Sequence, residues 1–225
     1  MSIEWFLIII IGVVGLIVQA RLQYVFNKYS RVMFPGGLTG REVAEKMLRD
    51  NGITDVTVTS TSGHLTDHYN PQTRTVNLSQ SVYGSNSVAA AAVAAHECGH
   101  AVQDAVGYAP LRMRSALVPA IQFSSTWSTW VIIAGILVIN TFPYLFWAGI
   151  AMIAVSALFS IVTLPVEYNA SARAMKWLES SGTLQGQSLV QARTALSWAA
   201  RTYLVAALSA IATLLYYLSI ARRNS

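Results

Sequence analysis

Charged side chains are scarce in this chain. Lys, Arg, Asp and Glu make up 11% of its 225 residues while 54% are hydrophobic, whereas an ordinary soluble domain is roughly a quarter charged. That shortage excludes a conventional water-soluble balance. Because the apolar residues gather into long blocks, it points instead to integration in a lipid bilayer. Cysteine is nearly absent, and Cys98 alone excludes an internal disulfide framework and leaves the redox compartment open. The net charge is +5, yet no basic stripe and no interleaved aromatic platform accompany it, so nucleic acid is not an expected partner. The apolar blocks hold almost no ionisable residue, which removes the polar path an ion transporter requires. Internal repeats and disordered linkers are missing as well.

What is present divides into spans and polar segments. About 20 apolar residues cross the hydrocarbon core, and residues 1–20 hold such a block at Ile3–Ala20. A cleaved signal peptide is the alternative, since Val18-Gln19-Ala20 resembles a cleavage site. Met1-Ser2-Ile3-Glu4 carries no positive charge, so a retained anchor is expected. Residues 116–164 are long enough for two further spans, near 116–139 and 144–164, broken at Asn140-Thr141-Phe142-Pro143 into a tight hairpin. Gln122 and the Ser/Thr group at 124–129 mark a face of the second span turned toward protein. Residues 202–221 form a fourth span and 222–225 a short tail. Four spans put the polar segments 21–115 and 165–201 on one side. Of 15 Lys and Arg residues, all except Arg222 and Arg223 fall in those segments, which leaves 13. The positive-inside rule places both segments in the cytoplasm and both termini outside.

Within 21–115, Phe34-Pro35-Gly36-Gly37 reads as a turn. Thr39-Gly40-Arg41-Glu42 is a capping box opening a helix whose apolar face is Val43, Met47 and Leu48 and whose end is near Gly52. Strand-like pieces follow at Val56–Thr59 and Thr75–Leu78, with Asn70-Pro71 as a turn between them. Asn86 or Ser87 can cap the next helix, over residues 87–106 and stopped by Gly107. Its first half, Val88–Ala95, is nearly all Ala and Val and too short to span, which predicts tight burial. In the second polar segment Ser180-Ser181-Gly182 is a turn.

That helix carries His96-Glu97-Cys98-Gly99-His100, the H-E-x-x-H pattern of zinc metallopeptidases. Residues four apart share a helical face, so His96 and His100 can reach one ion at about 2.0–2.1 Å. Glu97 beside them is suited to take the proton of an attacking water and pass it to a leaving amine. A buried His pair serving only packing is the plain alternative. A third protein donor is needed. The metzincin extension is ruled out, because Gln103 and Val106 stand where Gly and His would be required. Glu167, just past the third span, is the leading third ligand, since a carboxylate beside an apolar block is costly unless paired or metal-bound. Pairing of Glu167 with Arg173 or Lys176 is its alternative. Asp104, one turn beyond His100, is the rival ligand and equally suits a partner orienting a histidine ring. His68 can contact substrate, stabilise an oxyanion or, remotely, bind zinc, while the plain reading of His64 and His68 is solvated or hydrogen-bonded loop residues. Cys98 reads as a packing residue and Gly99 as a point of close backbone approach.

Leu38-Thr39-Gly40, Leu65-Thr66-Asp67-His68-Tyr69, Val93–Asp104, Gly107-Tyr108-Ala109-Pro110-Leu111-Arg112 and Leu164–Ala174 carry a resemblance over most of the chain. It resembles the YugP-type neutral zinc metallopeptidases of bacterial membranes. The resemblance implies an inner-membrane protein with zinc-dependent endopeptidase activity, one catalytic zinc ion, and His96, Glu97 and His100 as its motif. More distantly the layout is similar to the HtpX and CAAX-protease gluzincins. Their third ligand, the Glu of E-x-x-x-D, maps to Glu167, with Ser171 in place of the Asp. That likeness also implies that Arg74–Leu78 is an edge strand holding substrate backbone by β-augmentation.

The expectation is a mainly α membrane protein. Four transmembrane helices carry a small α+β zincin-like catalytic region facing the cytoplasm. It hydrolyses peptide bonds in membrane or membrane-proximal proteins. Its partners are the bilayer and a protein or peptide substrate, and the sequence leaves open whether it forms a homo-oligomer or binds another membrane protein. A catalytically silent zinc-stabilised scaffold is the alternative function.

Overall fold

The computed structural model describes residues 3–34, 36–63 and 65–223. Along these the elements are α1 (Ile3–Tyr29), α2 (Gly40–Asp50), β1 (Thr57–Thr61), β2 (His68–Asn70), β3 (Thr75–Ser79), α3 (Gln80–Tyr83), α4 (Val88–Ala105), α5 (Ala109–Leu137), α6 (Pro143–Ser180) and α7 (Gly186–Arg223). Four of the helices, α1, α5, α6 and α7, are long and apolar enough to cross a membrane. Each runs well beyond its apolar block: α1 continues past Ala20, and α6 continues without a break through Pro165 to Ser180. Pro35 and His64 lie outside the described residues, so the Phe34–Gly37 turn is only partly covered.

The chain divides into two compact units. One gathers Met1–Ile17, Arg112–Pro165 and Thr202–Ser225, the apolar stretches. Its helix hairpin turns at the Asn140–Pro143 break, and Ile132, Phe146, Ile150 and Ala221 form a buried cluster within it. The other unit gathers Val18–Leu111 and Val166–Arg201 and holds all the strands.

Local sequence explains that second unit. The Thr39 N–H donates to Glu42 Oε2 at 2.7 Å and the Glu42 N–H donates to Thr39 Oγ1 at 3.3 Å, closing the capping box that starts α2. Val43, Ala44, Met47 and Leu48 then form one buried face, which packs on α4. The α4 helix starts where the Ala90 N–H donates to Ser87 Oγ at 3.2 Å. It ends in a Schellman turn: Gly107 at φ +66° donates to Asp104 O at 3.0 Å and Tyr108 to Gln103 O at 2.9 Å. The run Val88–Ala95 is buried throughout, because methyl-sized side chains let neighbouring elements come close on every side. Trp177 on α6 donates its indole N–H to Asp50 Oδ2 at 3.0 Å and so fastens α6 to the end of α2.

The sheet order is β1-β3-β2, with β1 parallel and β2 antiparallel to β3. This corrects the expected edge strand. Arg74–Leu78 contributes β3, the central strand, and both of its sides are taken. The intervening segment at His68–Asn70, which is too short to show alternation, supplies the missing edge as β2.

Candidate metal centre

Three side chains that the sequence singles out as metal donors come together in the second unit. His96 and His100 project from α4 with ring centroids 4.9 Å apart and planes at 82°. Glu167 projects from α6, 2% exposed. Its Oε2 lies 3.2 Å from His96 Nε2 and 3.6 Å from His100 Nε2. Bonds of about 2.0–2.1 Å in a tetrahedron put neighbouring donors about 3.3 Å apart. Two imidazole nitrogens and a carboxylate oxygen at these separations, with all three donor atoms within 4.8 Å of one another, fit a single zinc ion. Among the described residues they are the only such group of His, Cys, Asp and Glu side chains.

The helices that carry these donors touch at backbone level. A Cβ on Gly99 would stand 2.5 Å from the Ala170 carbonyl oxygen, so only glycine lets α4 and α6 approach this closely. Cys98, on the opposite face, is fully buried and donates its thiol to the Ala44 carbonyl at 3.5 Å. Burial raises that thiol above its ordinary range, as suits a packing residue.

The two histidines are oriented by Gln103 and Ser171. Gln103 has no exposed surface. Its Nε2 donates to Val166 O at 2.8 Å and to Asn169 Oδ1 at 3.0 Å, which leaves Oε1 to accept from His100 Nδ1 at 3.0 Å. That set of bonds assigns the tautomer: His100 carries its proton on Nδ1 and presents the Nε2 lone pair to the donor cluster. Ser171 Oγ lies 3.1 Å from His96 Nδ1 and performs the same service for the other ring. Ser171 stands four residues after Glu167 on α6 and offers His96 a hydroxyl. Asn169 also accepts from Arg173 Nε at 2.8 Å, so Arg173 bears on the site only by bracing Asn169.

Asp104 is not brought to the cluster. Its Oδ2 accepts from the Tyr69 phenol at 2.8 Å and faces Arg74 Nη2 at 3.9 Å. Neither alternative role fits it, since Gln103 already holds His100. Its position at the end of α4 serves to bind β2 to the helix. Burial, reinforced by Asp104, holds the Tyr69 phenol above its usual range. His68 stays outside the cluster, exposed, with Nδ1 2.8 Å from Thr66 O. His64 lies outside the described residues. Asp67 accepts from the Ser79 N–H at 2.7 Å and the Ser79 hydroxyl at 3.1 Å, fixing the loop that leads into β2.

Glu97 is 8% exposed and sits between the donor cluster and β2. Burial pushes its carboxyl up to about 7, the negative charges of Glu167 and Asp67 add to that, and His96 and the Tyr69 backbone N–H act the other way. A carboxyl group poised near neutrality suits reversible proton transfer. A bound cation beside it favours the ionised form.

Residues 4–222 match the family described as "Putative neutral zinc metallopeptidase". The chain is also 38% identical over 202 residues to the "Putative membrane protease YugP" of Bacillus subtilis (strain 168), covering 90% of this chain and 89% of that protein. No solved structure matches. With the match running almost end to end across a His, His, Glu donor set on apolar helices, this chain belongs to that family of neutral zinc metallopeptidases.

Proposed function

We propose that this protein is an integral-membrane endopeptidase of gluzincin type that cuts membrane or membrane-proximal proteins at the cytoplasmic face of a bacterial inner membrane. The observation that carries the reading is the convergence of His96 Nε2, His100 Nε2 and Glu167 Oε2 beside the buried carboxyl of Glu97. His96, His100 and Glu167 would hold zinc, and when bound the ion supplies a Lewis acid for a water and for the scissile carbonyl. Glu97 accepts a proton from the attacking water and delivers it to the leaving amine nitrogen. The Tyr69 backbone N–H favours the ionised form of Glu97. β2 pairs with β3 on one side only, which leaves its outer edge unpaired by a strand. An extended substrate laid along this outer edge of β2 would run past Glu97, and backbone pairing there needs no side-chain code.

Two measurements test the proposal. Purified protein and Glu97→Gln should bind one zinc equally, while cleavage of an unfolded membrane substrate falls by about 100-fold or more in the variant. Cleavage by neither would leave a zinc-stabilised scaffold, and equal cleavage by both would mean another base. For orientation, reporters inserted near Gly182 and fused after Ser225 should lie on opposite sides, with Gly182 cytoplasmic. Finding the Gly182 reporter outside would reverse the proposed face.

A further inference from the structure

A cleft of about 600 Å³ opens between the later part of α6 and the early part of α7. On α6 its lining residues recur at 168, 171/172, 175/176 and 179, and on α7 at 193, 196/197 and 200/201. Each set is a single helical stripe. The α6 stripe runs over the twelve residues from Tyr168 to Glu179, a rise of about 16 Å at 1.5 Å per residue. That length accommodates about five residues of extended polypeptide. Buried Leu196 and Met175 form an apolar floor.

The walls are charged, and the charges do not balance. Lys176, Arg193 and Arg201 line the cleft against a single carboxylate, Glu179. Arg193 Nη2 lies 4.0 Å from Glu179 Oε2. Arg201 stacks its guanidinium 4.2 Å from the centre of the Trp198 ring, which preorganises its donor fork. Other carboxylates of this unit are occupied elsewhere: Asp50 by Lys46 and Trp177, Asp55 by Arg74, Asp67 by Ser79, Asp104 by Tyr69. Lys176 and Arg201 thus have no carboxylate partner among the described residues. Because α6 and α7 are joined by the short turn at Gly182 and Glu179 faces Arg193, the helices run antiparallel. Arg201 then lies toward the Ser171 end.

Ser171 joins this cleft to the donor cluster, since the hydroxyl that lines one end also contacts His96 Nδ1 at 3.1 Å. We infer that the α6–α7 cleft is a specificity subsite that binds an acidic stretch of the substrate polypeptide, with Asp or Glu side chains set against Arg201 and Lys176. The inference rests on the protease reading and names the substrate class that reading leaves open. Peptide is favoured over the phosphate of a lipid headgroup because the cleft is elongated, has an apolar floor and reaches a group that contacts His96. One headgroup would fill only one end.

The test uses the full-length, zinc-loaded Glu97→Gln protein and fluorescein-labelled peptides that differ only in a four-residue tract of Glu, Ser or Lys. Two exposed ion pairs predict that the Glu peptide binds about tenfold more tightly than the Ser peptide. The difference shrinks as salt is raised. The double variant Lys176→Glu/Arg201→Glu, checked for unchanged zinc stoichiometry, should reverse the order and prefer the Lys peptide. Equal binding of all three peptides, or an acidic preference that survives the double charge reversal, would overturn the assignment. So would displacement by dihexanoyl phosphatidylglycerol without dependence on peptide charge, which gives the cleft to lipid. If the wild-type protein cleaves none of the peptides while charge-ranked binding and its reversal hold, the protease reading fails and the acidic-peptide subsite stands.

Discussion

Gln103 offers the sharpest test of how the metal centre is held. Its amide is fully buried and makes three hydrogen bonds of 2.8–3.0 Å, one to His100 and two to α6 at Val166 and Asn169. Replacement by Leu conserves bulk and removes all three. Asn169 keeps Arg173 as a donor, so the group left without its partner is His100 Nδ1–H. An orphaned buried donor costs about 1–3 kcal/mol, and loss of a ring-orienting partner weakens a metal site by about 10–100-fold. Replacement by Glu separates the two roles. A carboxylate still accepts from His100 Nδ1–H and makes the imidazole a stronger donor, but it cannot give hydrogen bonds to Val166 O or Asn169 Oδ1. We therefore expect both variants to unfold at lower temperature, with Gln103→Glu binding zinc more tightly than Gln103→Leu. Zinc affinity is read by competition with a chromophoric chelator and stability by thermal unfolding of the metal-free protein. Wild-type zinc affinity in Gln103→Leu, or a Glu variant no tighter than the Leu variant, would refute the orienting role.

Two further substitutions probe the same neighbourhood. Gly99→Ala drives a methyl against the Ala170 backbone. Overpacking there should cost about 1–3 kcal/mol and lower zinc occupancy, measured by calorimetry and metal analysis; full occupancy at wild-type stability would contradict the close contact. Ser171→Asp gives His96 a carboxylate partner and should tighten zinc by about tenfold, whereas Ser171→Ala should loosen it by a similar factor, both read by chelator competition.

Where sequence and structure agree, the determinants are local. Helix geometry alone puts His96 and His100 on one face, and the capping box, the Ser87 cap and Gly107 are each decided by their immediate neighbours. Glu167 stood out because an ionisable group at the end of an apolar block demands a partner. Gln103 was hidden for the opposite reason: it was weighed only as a failure to match a longer zinc motif. Its spacing of three residues from His100 was the available signal, since it places a polar amide over the ligand's own turn. The strand order was illegible because β2 has three residues, held in place by Tyr69 and Asp104 rather than by any pattern of its own. The role of Asp104 is illegible for the same reason, since its partner Tyr69 lies 35 residues away in sequence.

The two donors on α4 and the one on α6 are far apart in the order of synthesis. Glu167 lies 67 positions after His100, and the stretch between them includes all of α5 and the first part of α6. At about 5–20 residues per second, translation leaves an interval of roughly 3–13 s in which the histidine pair exists without its third donor. During that time the nascent chain has H-E-x-x-H but no complete cradle for zinc. A peptidase built this way is born inactive. The third donor exists only once the helix hairpin has been made, so the order of synthesis itself delays the metal centre.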